Sequence, residues 1–354
     1  MQNSEKSPAR RSSLSSTAFA ATTPHYSWRL LRAGPLLLDG GSMFGVVPKA
    51  VWSRNVPCDE QNRIRLGHNC LLLERRPDEI NLSEPAGEQK PHRVLIEAGS
   101  GDKFDSKNRA IFGLTDDWIG SALERAGVSC DDIDDVVVSH LHFDHAGGVV
   151  RRAREGEAPD WVPPGAEPAT AGVKLTFANA PIFVQRREWD DALLNRSVMT
   201  RTYFRENLEP IRDRVKLLDG PTPFPQGYLP GKSEAPPTPL GERMAEILPG
   251  IGVFRVPGHT WGQQAVSFRD EQGRTVVFTP DVLPTVQHAG AAYNLAYDVE
   301  PYISSVTRRW FLEEAVKGDW LLVLDHEPGN PCCRVREDGK GWYRLEPDER
   351  SGGL

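Results

Sequence analysis

Three histidines and an aspartate fall within six residues, His140-Leu-His142-Phe-Asp144-His145, directly after the β-branched run Val136-Val-Val-Ser139. No other stretch so narrows what the chain can fold into. The valine run is too short for a helix and apolar on both faces, as in a strand covered on both sides. Imidazole and carboxylate are ligands that zinc, iron, manganese or cobalt accept. The alternating spacing sends His140 and His142 to one side of the strand end, and Asp144 and His145 turn toward a second position nearby. Gly147-Gly148 lets the backbone fold tightly beside them. In purely structural roles, four such groups would be buried together without partners, at considerable cost.

Three later segments share one form, an apolar strand that ends in a candidate ligand. They are Val253-Phe-Arg-Val-Pro-Gly-His259, Val276-Val-Phe-Thr-Pro-Asp281 and Leu321-Leu-Val-Leu-Asp-His326. Further strands are expected at Pro35–Asp39, Leu66–Glu74, His92–Glu97 and Gln264–Phe268. A helix should begin at Thr115, whose side chain caps it ahead of two carboxylates, and end at Gly127. Pro181–Arg214 carries a helical pattern rich in aromatics, and Pro301–Val316 reads as a helix with proline in its first turn. Strands fall in two groups with helices between, which suggests two sheets flanked by helices.

The domain organisation follows from composition. Residues 1–25 are rich in Ser, Ala and Arg and read as a disordered extension. A single domain is expected over 26–340, with loop insertions near 151–174 and 219–242, and 341–354 is left as a tail. The net charge of −7 argues against a nucleic-acid partner, which would need a basic face. No apolar run is long enough to span a bilayer, so no membrane partner is expected. The five cysteines lack CxxC spacing, and Cys332-Cys333 reads as a buried pair; this usage, with no apolar signal segment, suits a cytoplasmic protein.

Taken together, His140-x-His142-x-Asp144-His145, Gly258-His259-Thr260, Asp281 and His326 resemble the metallo-β-lactamase fold superfamily, an αββα sandwich of dinuclear metallohydrolases. The resemblance runs from about Tyr26 to Asn330. It implies His140, His142 and His259 on one divalent ion, Asp144, His145 and His326 on a second, and Asp281 bridging, with zinc as the expected metal. A hydroxide held between the ions would be the nucleophile, and Asp144 would deliver the proton. The segment Gly41–Trp52, with Ser139–Ala146 and Asp281-Val-Leu-Pro-Thr285, is similar to the quorum-quenching branch of YtnP-type lactonases, which open N-acyl-homoserine lactones. A small lactone or ester is therefore the expected substrate, with another ester, a thioester or a phosphodiester as the alternative.

The chain also departs from the family pattern. Glu97-Ala98-Gly99 stands where many relatives have Asp-Thr-Gly, Pro280 precedes the bridging aspartate, and Gln263 replaces a frequent histidine. Met43, Phe44, Phe143, Trp261 and Tyr203 are candidates for a substrate pocket, and Tyr203 or Tyr293 for a hydrogen bond to a substrate carbonyl. Lys49 and Arg54 read as solvated charges. His68, His92 and His288 are not needed as ligands.

Overall fold

The computed structural model describes residues 24–75, 90–199, 201–224, 238–290 and 292–348. Most of the expected 1–25 extension, and 225–237 of the second expected loop, lie outside them. In chain order the first strands are β1 (Ser27–Asp39), β2 (Arg63–Arg75), β3 (His92–Ile96), β4 (Asp135–Val137), β5 (Val150–Arg152), β6 (Val173–Leu175) and β7 (Ile182–Gln185). There follow β8 (Val215–Leu218), β9 (Ala245–Leu248), β10 (Ile251–Arg255), β11 (Gln264–Arg269), β12 (Thr275–Thr279), β13 (Leu321–Leu324), β14 (Cys332–Glu337) and β15 (Tyr343–Pro347). One sheet has the order β1-β2-β3-β4-β7-β8, the other β15-β14-β13-β12-β11-β10-β9, and β5 pairs with β6.

Alternation along each strand builds the layers. Leu71, Leu73, Val94 and Ile96 of the first sheet meet Val266, Phe268, Val276, Phe278, Leu321 and Val323 of the second in one buried cluster. Their neighbours point the other way. Leu72, Leu95 and Val136 pack outward against Ile119, Leu123, Trp189 and Ala192, which lie on helices Ile119–Arg125 and Arg186–Leu193. Val277, Leu322 and Leu324 pack against Phe311, Leu312 and Ala315 of helix Pro301–Lys317. Each fully buried Leu, Val or Phe contributes about 1.5–3 kcal/mol, and burial on both faces is why these strands read as unbroken apolar runs. The result is the expected αββα sandwich. Among the described residues no helix is long and apolar enough to cross a membrane.

The topology brings the candidate ligands to one rim. β3 and β4 run parallel, as do β12 and β13, so residues just after each pair emerge at a common edge. Hydrogen bonds between the sheets close that edge. Gln264 N–H donates to the Ser139 carbonyl (3.0 Å), Asn69 N–H to Asp325 (2.9 Å) and Gly67 N–H to His326 (3.1 Å). Gly147 and Gly148 press against the loop after β3. A Cβ at Gly148 would lie 2.1 Å from the Ala98 carbonyl oxygen, and one at Gly147 2.3 Å from that of Ser100.

Several elements differ from expectation. Within the helical pattern of 181–214, Ile182–Gln185 is strand β7, held parallel to β4, and helix follows only from Arg186. The expected loop 151–174 contains most of the β5/β6 pair, whose partners Val150 and Leu175 are too far apart in sequence to leave a hairpin signal. The domain also extends beyond residue 340, because Tyr343–Pro347 completes the second sheet as its edge strand. Arg344 and Glu346 there make a polar pattern that reads as a tail while serving to guard an edge. The helix expected from Thr115 begins at Ile119, because the Trp118 amide and the Ser121 hydroxyl close its first turn (3.0 Å) while Thr115 only caps the preceding turn.

Gly148→Ala should lower stability by about 2 kcal/mol or more, because backbone meets backbone. Gly241→Ala, whose new methyl meets nothing within 4 Å, should stay within about 0.5 kcal/mol of the parent. Urea midpoints check both, and equal midpoints would contradict the close approach.

Candidate metal centre

At the rim, ligand-type atoms form two groups that share one residue. His140, His142, His259 and Asp281 make the first, and His145, Asp281, Asp325 and His326 the second; within each group the atoms lie within 4.8 Å of one another. All are buried. Asp281 occupies the middle. One of its oxygens is 3.0 Å from His259 Nε2, 3.7 Å from His145 Nε2 and 3.9 Å from His140 Nε2, and the other is 3.4 Å from His326 Nε2.

Hydrogen bonds behind the rings decide which nitrogen faces inward. His326 Nδ1 lies 2.9 Å from the Gly67 carbonyl, which only accepts, so Nδ1 carries the proton. His145 Nδ1 donates to Glu97 (2.9 Å) and His259 Nδ1 to Asp298 (3.0 Å). The Nε2 atoms of these three rings therefore point into the site, the arrangement metal-binding histidines use. Nε2 of His326 stands 3.2 Å from that of His145, and Nε2 of His259 stands 3.0 Å from His142 Nδ1. Such nitrogens repel one another unless a cation or a proton lies between them.

Charge gives the same picture. Burial, followed by the neighbouring imidazoles, pushes His140 and His142 well below the ordinary histidine pKa. Burial also opposes charge on His259 and His145, but nearby carboxylates outweigh it. Asp281 and Asp298 raise His259 to about 10, and Asp144, Glu97 and Asp281 raise His145 well above its usual value. Carboxylates thus favour positive charge at one ring of each group, a charge of the kind a divalent ion would supply. Burial and the adjacent Asp281 carboxylate push Asp325 well above the carboxylate range. Buried polar atoms without a hydrogen-bond partner among the described residues include His140 Nε2, Asp281 Oδ1 and Asp325 Oδ2. These donors fit two divalent ions of the zinc class.

Six of the seven residues expected from the sequence as ligands, all but Asp144, fall in these two groups. Asp144 stands slightly apart, 3.7 Å from His326 Nε2 and 3.9 Å from His145 Nε2. Metal–ligand bonds of about 2 Å allow ligands of one ion to be roughly 3–4 Å apart, so Asp144 remains within reach. Asp325 was not anticipated. Its only sequence signal is a carboxylate immediately before His326, and the end of β13 turns both side chains to the rim. Glu97 holds His145 and the Ser139 amide, with its own backbone at φ 69°. The three histidines left without a role are structural. His68 bonds Gly34 and Ser100, His288 bonds Thr285 and Met43, and His92 pairs with Asp135.

Comparison with known proteins agrees with this geometry. The profile described as the metallo-beta-lactamase superfamily matches residues 92–326. The chain belongs to that superfamily. An N-acyl homoserine lactonase of Bacillus thuringiensis is 29% identical over 223 residues, 62% of this chain and 66% of the relative, so the match spans only part of that protein. Among solved structures, a probable metal-dependent hydrolase from Staphylococcus aureus superposes with a TM-score of 0.66 at 23% identity, covering 92% of this chain and 99% of the other. The dizinc quorum-quenching lactonase AidC superposes with a TM-score of 0.62 at 17% identity over 93% and 99% of the two chains. These superpositions establish that this superfamily member shares their fold.

Zinc should raise the thermal midpoint and a chelator should reverse the rise; saturation at a hundredfold excess over Kd corresponds to about 2.7 kcal/mol per site. Asp281→Ala should abolish more of the rise than Asp325→Ala, since Asp281 serves both groups. A midpoint indifferent to zinc and chelator would contradict a metal centre here.

Proposed function

We propose that this chain is a dinuclear metal-dependent hydrolase that opens the ring of a lactone, with N-acyl-homoserine lactones as its substrate class. The observation that carries the reading is the pair of ligand groups sharing Asp281, in a superfamily whose matched relatives include N-acyl homoserine lactonases. His140, His142 and His259 would hold one ion and His145, His326 and Asp144 or Asp325 the other, with Asp281 common to both. When bound, two divalent ions activate a water molecule and polarise a carbonyl group.

The protein's own groups supply the rest. Of the two tyrosines expected to meet a substrate, Tyr203 has its hydroxyl committed to Glu188 (2.9 Å), and the ring of Tyr293 packs edge-on against Phe44. Tyr297 is the better donor. Its ring lies edge-on to His259 at 6.5 Å, and its hydroxyl is buried without a partner among the described residues. Burial, then the carboxylates of Asp281 and Asp144, keep that hydroxyl protonated, well above the usual tyrosine pKa. It can therefore donate to a substrate carbonyl as negative charge develops there. Asp144, beside His145 and His326, would return a proton to the ring oxygen as it leaves.

An apolar wall adjoins the motif. Phe143 meets Phe104, Phe112 and Phe204 at ring separations of 5.3, 5.1 and 5.8 Å, and a cavity of about 620 Å³ borders Phe104 and Phe204. This wall suits an acyl chain. Met43 and Phe44, by contrast, are buried in the core with Trp52, and Trp261 is covered by Arg187. Arg152 and Arg205 also line the cavity, balanced by Asp105, Glu206 and Glu209; an anionic phosphodiester held by the arginines is the second reading. No disulfide joins cysteines among the described residues, which suits the cytoplasm.

Turnover of an N-acyl-homoserine lactone, a thioester and a phosphodiester by the zinc-loaded protein tests the reading, and the lactone should be the best substrate. Tyr297→Phe should lower kcat/KM for it on the order of 100-fold with metal content unchanged, and His142→Ala should remove metal and activity together. Turnover of the phosphodiester alone would establish the second reading instead.

A further inference from the structure

The first ligand group has an anchor that ligand spacing does not reveal. Glu188, in the first turn of helix Arg186–Leu193, is fully buried. One of its oxygens accepts from the Leu141 amide (3.0 Å) and the Tyr203 hydroxyl (2.9 Å), and the other from the Thr260 hydroxyl (2.6 Å). Leu141 lies between His140 and His142, and Thr260 directly follows His259. The ring of Tyr203 lies against that of His142, with centroids 5.0 Å apart. One carboxylate thus ties the loop after β4 to the loop after β10, and these two loops carry all three histidines of the first group.

Two further observations show how tightly this joint is made. Gly262, three residues after His259, approaches the helix so closely that a Cβ there would lie 2.2 Å from the Glu188 amide nitrogen. Thr260 Oγ1 also accepts from the Gln263 amide (3.0 Å), so its hydroxyl hydrogen is directed to Glu188. A buried carboxylate facing neutral donors is a costly way to join loops, and no lysine or arginine among the described residues forms an ion pair with it. The rings of the second group have their own supports: Glu97, whose other oxygen accepts from the Ser139 amide, on His145, and the Gly67 carbonyl on His326.

We propose that Glu188 is a positioning residue that holds His140, His142 and His259 in register and thereby sets the affinity of the first metal position independently of the second. The inference rests on the two-ion reading. A partner behind a ligand typically accounts for about 10–100-fold in metal affinity. Glu97 is the counterpart for the second position, through its bond to His145.

Cobalt(II) titration, followed by visible absorption and by competition with a chelator, gives the two stepwise affinities. Glu188→Ala should weaken one of them about 10–100-fold and leave the other unchanged, whereas Glu97→Gln should weaken the other. Glu188→Gln, whose amide oxygen still accepts from Leu141 and Tyr203, should recover much of the loss. If Glu188→Ala does not fold, Thr260→Val should show a smaller loss at the same position. Affinities equal to the parent in the Glu188 variants, or both falling by one factor, would overturn the proposal. A parent protein that binds no cobalt would overturn the two-ion reading and this inference with it.

Discussion

Asp281 faces four imidazoles across the rim of the sandwich, and the local chemistry is organised around that convergence. A buried carboxylate among histidine rings is tolerable only if positive charge lies between them. Nearby carboxylates favour that charge on His259 and His145, each with its outer nitrogen committed to a carboxylate, Asp298 or Glu97. Metal ions would supply the same charge with more ligands. The fold must therefore bring Asp281 from β12, His259 from β10, His326 from β13 and the β4 motif to one place.

Two sheets face to face accomplish this. His140–His145 and Glu97 leave the first sheet, and His259, Asp281, Asp325 and His326 leave the second. The inner cluster of Leu, Val and Phe fixes the spacing between the sheets, and the inter-sheet hydrogen bonds of Gln264, Asn69 and Gly67 fix it again at the rim. The site is a seam between two halves. Residues that clamp the seam, Glu188 above all, then affect ligand geometry without touching a ligand ring.

Much of this was legible in the sequence, for a physical reason. Central strands buried on both faces read as unbroken apolar runs, and a ligand at the end of such a run announces its direction. That made β4, β10, β12 and β13 readable together with His140, His142, Asp144, His145, His259, Asp281 and His326. Edge strands follow other rules. β15 alternates charge because it borders solvent, and β7 is a short strand whose apolar residues merge with the helix after it. Tertiary partners were hidden as well. Asp325 sits beside a histidine that already explained the position, Glu188 looks like an ordinary helix-start carboxylate, and Tyr297 lies in a loop without a periodic pattern.

Two ligand groups that share Asp281 form the central claim, and metal-edge anomalous diffraction from zinc-soaked crystals tests it most directly. Two peaks on either side of Asp281 are predicted, one against His140, His142 and His259 and the other against His145 and His326. A single peak, or peaks remote from Asp281, would contradict the account.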